Sequence, residues 1–292
     1  MNIESIISNK VAIKKDEKFA AIIGLNPSKG ARSPKLWNKA YRKRKLKIKM
    51  YPLDVKKNNF KKLMHFLSNN KNFVGGAITN PYKEQVFKFL KSDIDFLSKP
   101  IGAINCIYKK NMNLFGTNTD GYGAIHTLKK LGKLKNKKFM IVGTGGTALT
   151  LVSFLKKYVS KSKDITVVGR KKSKLNKFKN KFKCNDVLLT KINLFNKEID
   201  FLINCTDVGS IQKQNISVLP LTFFNNLSKK TRVFDVIYNP KQTLFLKYAK
   251  INNLLHSNGL DMNLHQAVSA FVITNNIKKS NYDDVAKAMS NK

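Results

Sequence analysis

The sequence predicts an α/β protein of two domains. Three observations carry that expectation. First, an apolar run from Phe139 to Val142 stops at Gly143 and passes at once into a helical pattern, with the spacing Gly143-x-Gly145-x-x-Ala148. This is a G-x-G-x-x-A form of the dinucleotide-binding turn. Second, short apolar runs alternate with amphipathic stretches on both sides of that turn, as expected of βα units around parallel sheets. Third, 292 residues with 42% hydrophobic content are enough to build two separate cores.

The elements of the first half follow in order. Residues 1–18 are polar and read as a loosely structured lead-in. Phe19 to Gly24 is a short buried strand, and Pro27, Gly30 and Pro34 punctuate the loop after it. Ser33 then reads as an N-cap with Pro34 at the first helical position, ahead of a helix over Lys35 to Lys43. Lys47 to Leu53 alternates like a strand. Asn58 to Asn69 is an amphipathic helix, with Phe60, Leu63, Met64 and Leu67 at helical spacing. Phe73 to Thr79 is a strand, and Pro81 opens a helix over Tyr82 to Leu90. Ile101 to Tyr108 and Leu114 to Thr117 read as strands joined at Asn111-Met112-Asn113, and Asp120 as the N-cap of a helix from Gly121 to Leu131.

The second half opens on the glycine turn. In it Gly143 permits the tight bend, Gly145 lets backbone approach a pyrophosphate, and Ala148 is small enough for the helix to pack on the strand. The amides and dipole of that helix N-terminus favour phosphate charge. Later strands are Ile165 to Val168, Val187 to Leu189, Phe201 to Asn204, Val233 to Ile237 and Leu254 to His256. Helices are expected over Lys171 to Phe182, Thr243 to Asn252, Met262 to Asn276 and Asn281 to Met289, with a loop or short helix at Pro220 to Ser228.

Composition excludes several classes. No apolar run approaches the ~18 residues of a membrane helix, and Met1 to Lys18 lacks a signal-peptide core. Three isolated cysteines, Cys106, Cys184 and Cys205, argue for a reduced cytoplasmic setting and against disulfides or structural zinc. The four histidines show no metal-ligand spacing, so no metal is expected. The formal charge is +39, from 56 basic and 17 acidic residues. The basic residues are mostly lysine, spread along the chain, with no basic arm and no recognition motif, so they read as compositional bias rather than a nucleic-acid site. They still draw anions towards any cleft.

Several islands then share one pattern. They are Gly75-Gly-Ala-Ile-Thr-Asn-Pro-Tyr-Lys83, Ile101-Gly-Ala-Ile-Asn-Cys-Ile107, Gly116-Thr-Asn-Thr-Asp-Gly-Tyr-Gly123, Ile203-Asn-Cys-Thr-Asp-Val-Gly209, Asp235-Val-Ile-Tyr-Asn-Pro-Lys-Gln-Thr243 and Gly259-Leu-Asp-Met-Asn-Leu-His-Gln266. In their order and spacing the chain resembles the shikimate dehydrogenase family from about Phe19 to about Phe271. The resemblance implies an α/β fold with an N-terminal substrate domain and a Rossmann-like NADP-binding domain, the C-terminal helices packing back on the substrate domain. The expected division is 1–125, completed by 262–292, for substrate and catalysis, and 126–261 for the cofactor. The implied reaction is NADPH-dependent reduction of 3-dehydroshikimate to shikimate, in the biosynthesis of chorismate and the aromatic amino acids. A monomer or homodimer in the cytoplasm is expected, with a small cyclic hydroxy acid as substrate and neither nucleic acid nor membrane as partner.

That reaction needs hydride delivery to a ketone and a proton for the forming alkoxide. An ammonium beside a carboxylate suits it, and the resemblance places these groups at Lys83 and Asp120. Taken alone, Lys83 would be one solvated helix lysine among many, and Asp120 a helix cap. Ser33, Thr79, Asn105, Tyr238 and Gln266 match substrate-side positions of the family, where pairing to hydroxyls rejects analogues that lack them. Asn118 and Asn204 either face the same site or stabilise their turns. The cofactor side is expected at Gly143, Thr144, Gly145, Gly146, Thr147, Ala148, Arg170, Lys174, Thr206 and Gly259.

Cofactor choice is readable from the strand Ile165 to Val168. An acidic residue after it would hold the ribose of NAD; here Gly169-Arg-Lys-Lys-Ser-Lys174 follows instead. Arg170 offers a fork to a 2′-phosphate, with Lys171 or Lys174 assisting, so NADP is expected. The family's usual Asn-Arg-Thr keeps only its arginine here. The substrate-carboxylate loop departs further: Gly30-Ala-Arg-Ser-Pro-Lys-Leu-Trp-Asn38 keeps Ser33, Pro34 and Asn38 but has Ala31 for the first serine, and Ala77 stands for the usual Asn of the Asn-Val-Thr island. Arg32 is the candidate to pair with the carboxylate in compensation. These departures leave two alternatives open, a quinate or aminoshikimate-type dehydrogenase and a non-catalytic cofactor-binding paralogue.

Overall fold

A computed structural model describes residues 3–195 and 198–290. The chain forms two compact units, Met1–Thr119 with Leu264–Lys292, and Asp120–Asn263.

The first unit is built on β1 (Phe19–Gly24), α1 (Ser33–Lys43), β2 (Lys49–Asp54), α2 (Lys57–Asn69), β3 (Phe73–Ile78), α3 (Lys83–Leu90), β4 (Cys106–Lys110) and β5 (Asn113–Thr117), and α4 (Thr119–Leu131) starts at its last residue. The sheet order is β2-β1-β3-β4-β5. β1 runs parallel to both neighbours, whereas β3, β4 and β5 pair antiparallel. Alternation along β1 serves two cores, because successive strand residues point to opposite faces. Phe19, Ala21 and Ile23 pack with Phe60, Leu63, Met64 and Leu67 of α2 and Val86 and Leu90 of α3. Ala20 and Ile22 pack with Trp37, Ala40 and Tyr41 of α1.

Residues 3–18 are not a loose lead-in. Ile3, Ile6 and Val11 are buried in the α2 core. Asn9 Nδ2 donates to Pro52 O at 2.9 Å, Asn9 Oδ1 accepts from Asp54 N at 2.8 Å, and Ser8 N donates to Asp54 O at 2.8 Å. The segment thus pairs with backbone along the edge strand β2, whose ladder groups would otherwise face water. Other boundaries also differ from expectation. α1 begins at Ser33, with Arg32 in the cap position and no side-chain cap bond. α4 begins at Thr119, so Asp120 lies inside its first turn rather than capping it. The strand expected from Ile101 starts only at Cys106, because Lys99–Ile101 is a 3-10 turn and Gly102 is left-handed. The β4–β5 hairpin turns through Asn111 and Met112, both at positive φ.

The second unit carries β6 (Phe139–Val142), α5 (Gly146–Leu155), β7 (Ile165–Gly169), α6 (Lys172–Phe182), β8 (Asn185–Leu188), β9 (Phe201–Asn204), α7 (Leu221–Asn225), β10 (Arg232–Asp235), α8 (Leu244–Ile251), β11 (Leu255–Ser257) and the start of α9 (Leu260–Thr274). Its six strands are all parallel, in the order β11-β10-β9-β6-β7-β8. Counted from β6 this is the 3-2-1-4-5-6 order of a dinucleotide-binding sheet, with its switch point between β6 and β9. Every residue of β6 and of β9 is buried, as expected for parallel strands covered on both faces. Met140, Val142, Leu202 and Val233 pack against Phe224 of α7 and Phe245 and Leu246 of α8.

The chain ends back in the first unit. Val268 and Phe271 of α9 and Val285 and Met289 of α10 (Tyr282–Met289) join the cluster of Trp37, Tyr41, Ala20 and Ile22. The Phe271 ring meets the indole of Trp37 edge-on, with centroids 5.2 Å apart.

Candidate functional site

The first unit gathers substrate-side candidates where β1 and β3 end. The chain leaves β1 towards β2 on one side and β3 towards β4 on the other, so the two exits diverge. Their approach is close: a Cβ on Gly24 would stand 2.4 Å from Thr79 Cγ2 and 3.3 Å from Asn80 O. Thr79, the residue after β3, donates its amide to Ile23 O at 2.9 Å. A cis Asn80–Pro81 bond follows, and buried Tyr82 donates its hydroxyl to Val55 O at 2.6 Å. Lys83 is then the first residue of α3, half-buried. Its carbonyl accepts from Ile104 N at 2.9 Å, and Ile78 N donates to Asn105 O at 2.8 Å. Thr79, Lys83 and Asn105 are therefore knit into one end of the sheet. Buried Asn105 turns Oδ1 to Thr119, accepting its amide at 2.6 Å and its hydroxyl at 3.2 Å. Asp120 is the next residue. Asn118 is buried and donates Nδ2 to Ala103 O, which makes it a turn stabiliser.

The loop before α1 is fastened from β2. Buried Asp54 accepts the Ser28 amide at 2.9 Å and the Ser28 hydroxyl. From that anchor Gly30, Ala31 and Arg32 lead to Ser33 at the head of α1. Arg32 is exposed and Ser33 half-buried. Ala31 and Ala77 both lie against the Trp37–Phe271 cluster, so the two positions without a polar group are absorbed as packing surface. Asn38 bridges Met50 with both ends of its amide, at 2.7 and 3.0 Å, a structural duty. Gln266 sits half-buried on α9, beside Ala267 of the same cluster.

The second unit holds a cleft of about 450 Å³. Its walls are Gly143, Thr144 and Gly145 from the glycine turn, Arg170 and Lys174 beyond β7, and Thr206, Asp207 and Val208 beyond β9. Gly143 has φ +123°, and a Cβ there would stand 3.0 Å from Cys205 O. Gly145 and Gly146 have no atom within 4 Å of where a Cβ would be, at the head of α5. That open floor, next to the backbone amides that helix geometry leaves without intrahelical partners, fits a dinucleotide pyrophosphate. Thr147 and Ala148 belong to the first turn of α5, Ala148 fully buried. No carboxylate stands at the end of β7. The acidic residue on the wall, Asp207, is bound by Lys213 at 2.6 Å; Lys213, with a smaller contribution from Arg170, holds its carboxyl below the usual range. The basic side chains beyond β7 thus fit a ribose phosphate.

Other placements complete the set. Tyr238 is exposed in the turn after β10, before a cis Asn239–Pro240 bond. Gly259 packs under that turn, its amide donating to Ile237 O at 3.0 Å, and a Cβ on it would stand 2.0 Å from Val236 O. Sequence reasoning singled out no role for Asp235 or Thr243. Both are buried, and with Asn204 they form a hydrogen-bonded set behind Thr206. Both residues stood in a sequence island, but only the pairing of β9 with β10 brings Asp235 beside Asn204. Among the described residues no group of three His, Cys, Asp or Glu side chains is placed to hold a metal ion, and no helix is long and apolar enough to cross a membrane.

Comparison with known proteins agrees over both units. A family model for the shikimate dehydrogenase substrate binding domain matches residues 22–107, and one for shikimate/quinate 5-dehydrogenase matches residues 126–239. A shikimate dehydrogenase (NADP(+)) of Methanococcus maripaludis is 33% identical over 276 residues, 91% of this chain and 95% of that protein. The crystal structure of a shikimate dehydrogenase from Aquifex aeolicus is similar with a TM-score of 0.79 at 26% identity, covering 96% of this chain and all of that one. A shikimate dehydrogenase solved in complex with NADP+ is similar with a TM-score of 0.78 at 27% identity, covering 95% and 96%.

Proposed function

Because this chain belongs to the shikimate dehydrogenase family, we propose that it reduces 3-dehydroshikimate to shikimate with NADPH. The observation that carries the reading is the cleft at the β6–β9 switch point, open over Gly145 and Gly146 and walled by Arg170 and Lys174 with no carboxylate after β7. Gly143 to Ala148 would hold the pyrophosphate, Arg170 and Lys174 the 2′-phosphate, and Thr206 and Gly259 the remaining contacts. When bound, the reduced nicotinamide supplies the hydride.

The chain's own groups do the rest. Lys83, as an ammonium, stabilises the oxyanion that forms on the substrate ketone and gives it a proton from Nζ, afterwards regaining one from solvent. Asp120 orients that ammonium and accepts a hydrogen bond from a ring hydroxyl. Thr79, Asn105, Gln266 and Tyr238 recognise the remaining hydroxyls, and Ser33 with Arg32 the carboxylate. In this reading 1–125 with 262–292 serve the substrate and 126–261 the cofactor. The enzyme acts in the cytoplasm as a monomer or homodimer, and neither nucleic acid nor membrane is a partner.

Ala31 and Ala77, both packed on the Trp37–Phe271 cluster, favour one second reading, a related dehydrogenase for a cyclic acid with different hydroxyls, such as quinate. Steady-state assays with shikimate, quinate and aminoshikimate against NADP+ and NAD+ test both. The highest kcat/KM is expected for shikimate with NADP+. A preference for quinate would move the reading to the second, and no nicotinamide-linked turnover of any cyclic hydroxy acid would overturn it.

A further inference from the structure

We propose that Asp235 is a positioning residue that shapes the cofactor wall through Asn204. This rests on the reading of the cleft as the NADP site. Asp235 ends β10 with its side chain fully buried, and it is surrounded by donors. Oδ1 accepts from Ile237 N at 3.0 Å and from Asn204 Nδ2 at 3.1 Å, and Oδ2 accepts from Thr243 Oγ1 at 2.6 Å.

The bond to Asn204 has a directional consequence. An amide can turn either end towards a neighbour, and a carboxylate accepts only from the nitrogen end. Asp235, together with Val208 O, which accepts from the same nitrogen at 3.4 Å, therefore fixes Asn204 with Oδ1 facing the other way. There Oδ1 accepts Thr206 N at 3.0 Å and Thr206 Oγ1 at 2.7 Å, and Thr206 Oγ1 in turn accepts Val208 N at 3.2 Å. Thr206 and Val208 line the cleft. One buried oxygen thus orders a chain of four bonds that ends on the cofactor wall. The same carboxylate ties two further pieces. Ile237 N shapes the turn leading to Tyr238, and Thr243 caps α8 by accepting Leu246 N at 3.3 Å. Neither piece is needed for the Asn204 relay, which makes the relay separable by mutation.

Three variants of the full-length protein read it out, with thermal melts to establish folding and NADPH affinity measured by fluorescence. Asn204→Ala leaves the carboxylate its Ile237 and Thr243 partners and cuts the links to Thr206 and to Val208 O, both on the cleft wall. It is expected to raise Kd and KM for NADPH about tenfold while kcat and KM for the cyclic acid stay within about threefold. Asp235→Leu is expected to weaken NADPH at least as much and to disturb the cyclic-acid KM as well. Asp235→Asn keeps an acceptor for Asn204 and Ile237 and donates to the Thr243 hydroxyl instead, so NADPH affinity within about threefold of wild type is expected. The inference is overturned if folded Asn204→Ala binds NADPH like wild type, or if it loses kcat and both KM values alike. It also falls if Asp235→Asn weakens NADPH as much as Asp235→Leu. A wild-type protein that does not bind NADPH would overturn the cofactor reading instead.

Discussion

Replacing Arg170 with serine is expected to turn a cofactor preference into a quantity. Arg170 is exposed on the cleft wall just beyond β7, with Lys174 one turn into α6 and Asp207, already held by Lys213, across from it. A guanidinium–phosphate hydrogen bond contributes about 1.5–3 kcal/mol, and exposure puts this one near the lower end. About 1.5–2 kcal/mol is roughly a 10- to 30-fold rise in KM for NADPH. NADH lacks the 2′-phosphate, so its kcat/KM is expected to hold within about twofold, and kcat with NADPH likewise. Salt supplies a second axis. Because the group is exposed, the ratio of variant to wild-type KM is expected to shrink as ionic strength rises from about 0.1 M to about 1 M, where screening shortens from about 10 to about 3 Å. The assay is initial-rate kinetics with both cofactors at several salt concentrations. Equal losses with NADH and NADPH, or no loss with either, would refute the assignment of Arg170 to the phosphate.

Lys83→Ala is expected to lower kcat by about 10²–10⁴ with an unchanged melting temperature, since the proposed proton donor is lost from a half-buried helix start; stopped turnover with a lowered melting temperature would point to folding instead. Gly24→Ala drives a Cβ into Thr79 Cγ2, so a loss of about 1–3 kcal/mol by denaturant titration is expected, together with a raised KM for the cyclic acid; a neutral result would mean that the Thr79 turn yields freely. Burial pushes the Asp235 carboxyl up to about 6, against an ordinary value near 4 when unfolded. A raised carboxyl contributes stability that is complete below about pH 4 and is lost as pH rises through about 6, a difference of about 3 kcal/mol. Wild type is therefore expected to lose stability relative to Asp235→Asn between about pH 4 and pH 7, and parallel pH profiles of the two proteins would refute it.

The order of strands and helices was open to sequence reasoning because its signals are local. Phe139 to Val142 is buried on both faces and reads as an uninterrupted apolar strand; Gly143 must be glycine because its φ is positive and Cys205 O crowds it. Helix starts were harder. Ser33-Pro34 has the composition of a cap, yet Arg32 takes that position and Ser33 is already helical. The role of residues 3–13 was hidden for a different reason. Ile3 and Ile6 share one 3-10 turn, too short to read as a period, and Asn9 beyond it is placed by the β2 edge it pairs with. The Asp235 set was hidden for the same reason. Its members are 31 and 8 residues apart; the parallel register of β9 with β10 brings Asn204 to Asp235, and the turn after β10 brings Thr243 back to it.

The two sheets solve one problem in the same way. In each, the chain departs in opposite directions from two adjacent parallel strands, β1 and β3 in the first unit and β6 and β9 in the second. At each divergence a glycine ends or follows the earlier strand, and the next strand's exit runs into the space that its side chain would take: Thr79 beside Gly24, Cys205 beside Gly143. The residues proposed to work sit immediately past those contacts, at Thr79 and Lys83 in one unit and at Gly145 and Thr206 in the other. The proposed ligand contacts would thereby be made by short turns whose starting points are fixed by sheet hydrogen bonds, such as Thr79 N to Ile23 O and Cys205 N to Val142 O. Ala31 and Ala77 lie elsewhere. Both rest on the aromatic cluster that α1 shares with α9, where a small apolar side chain packs without an unpaired polar group.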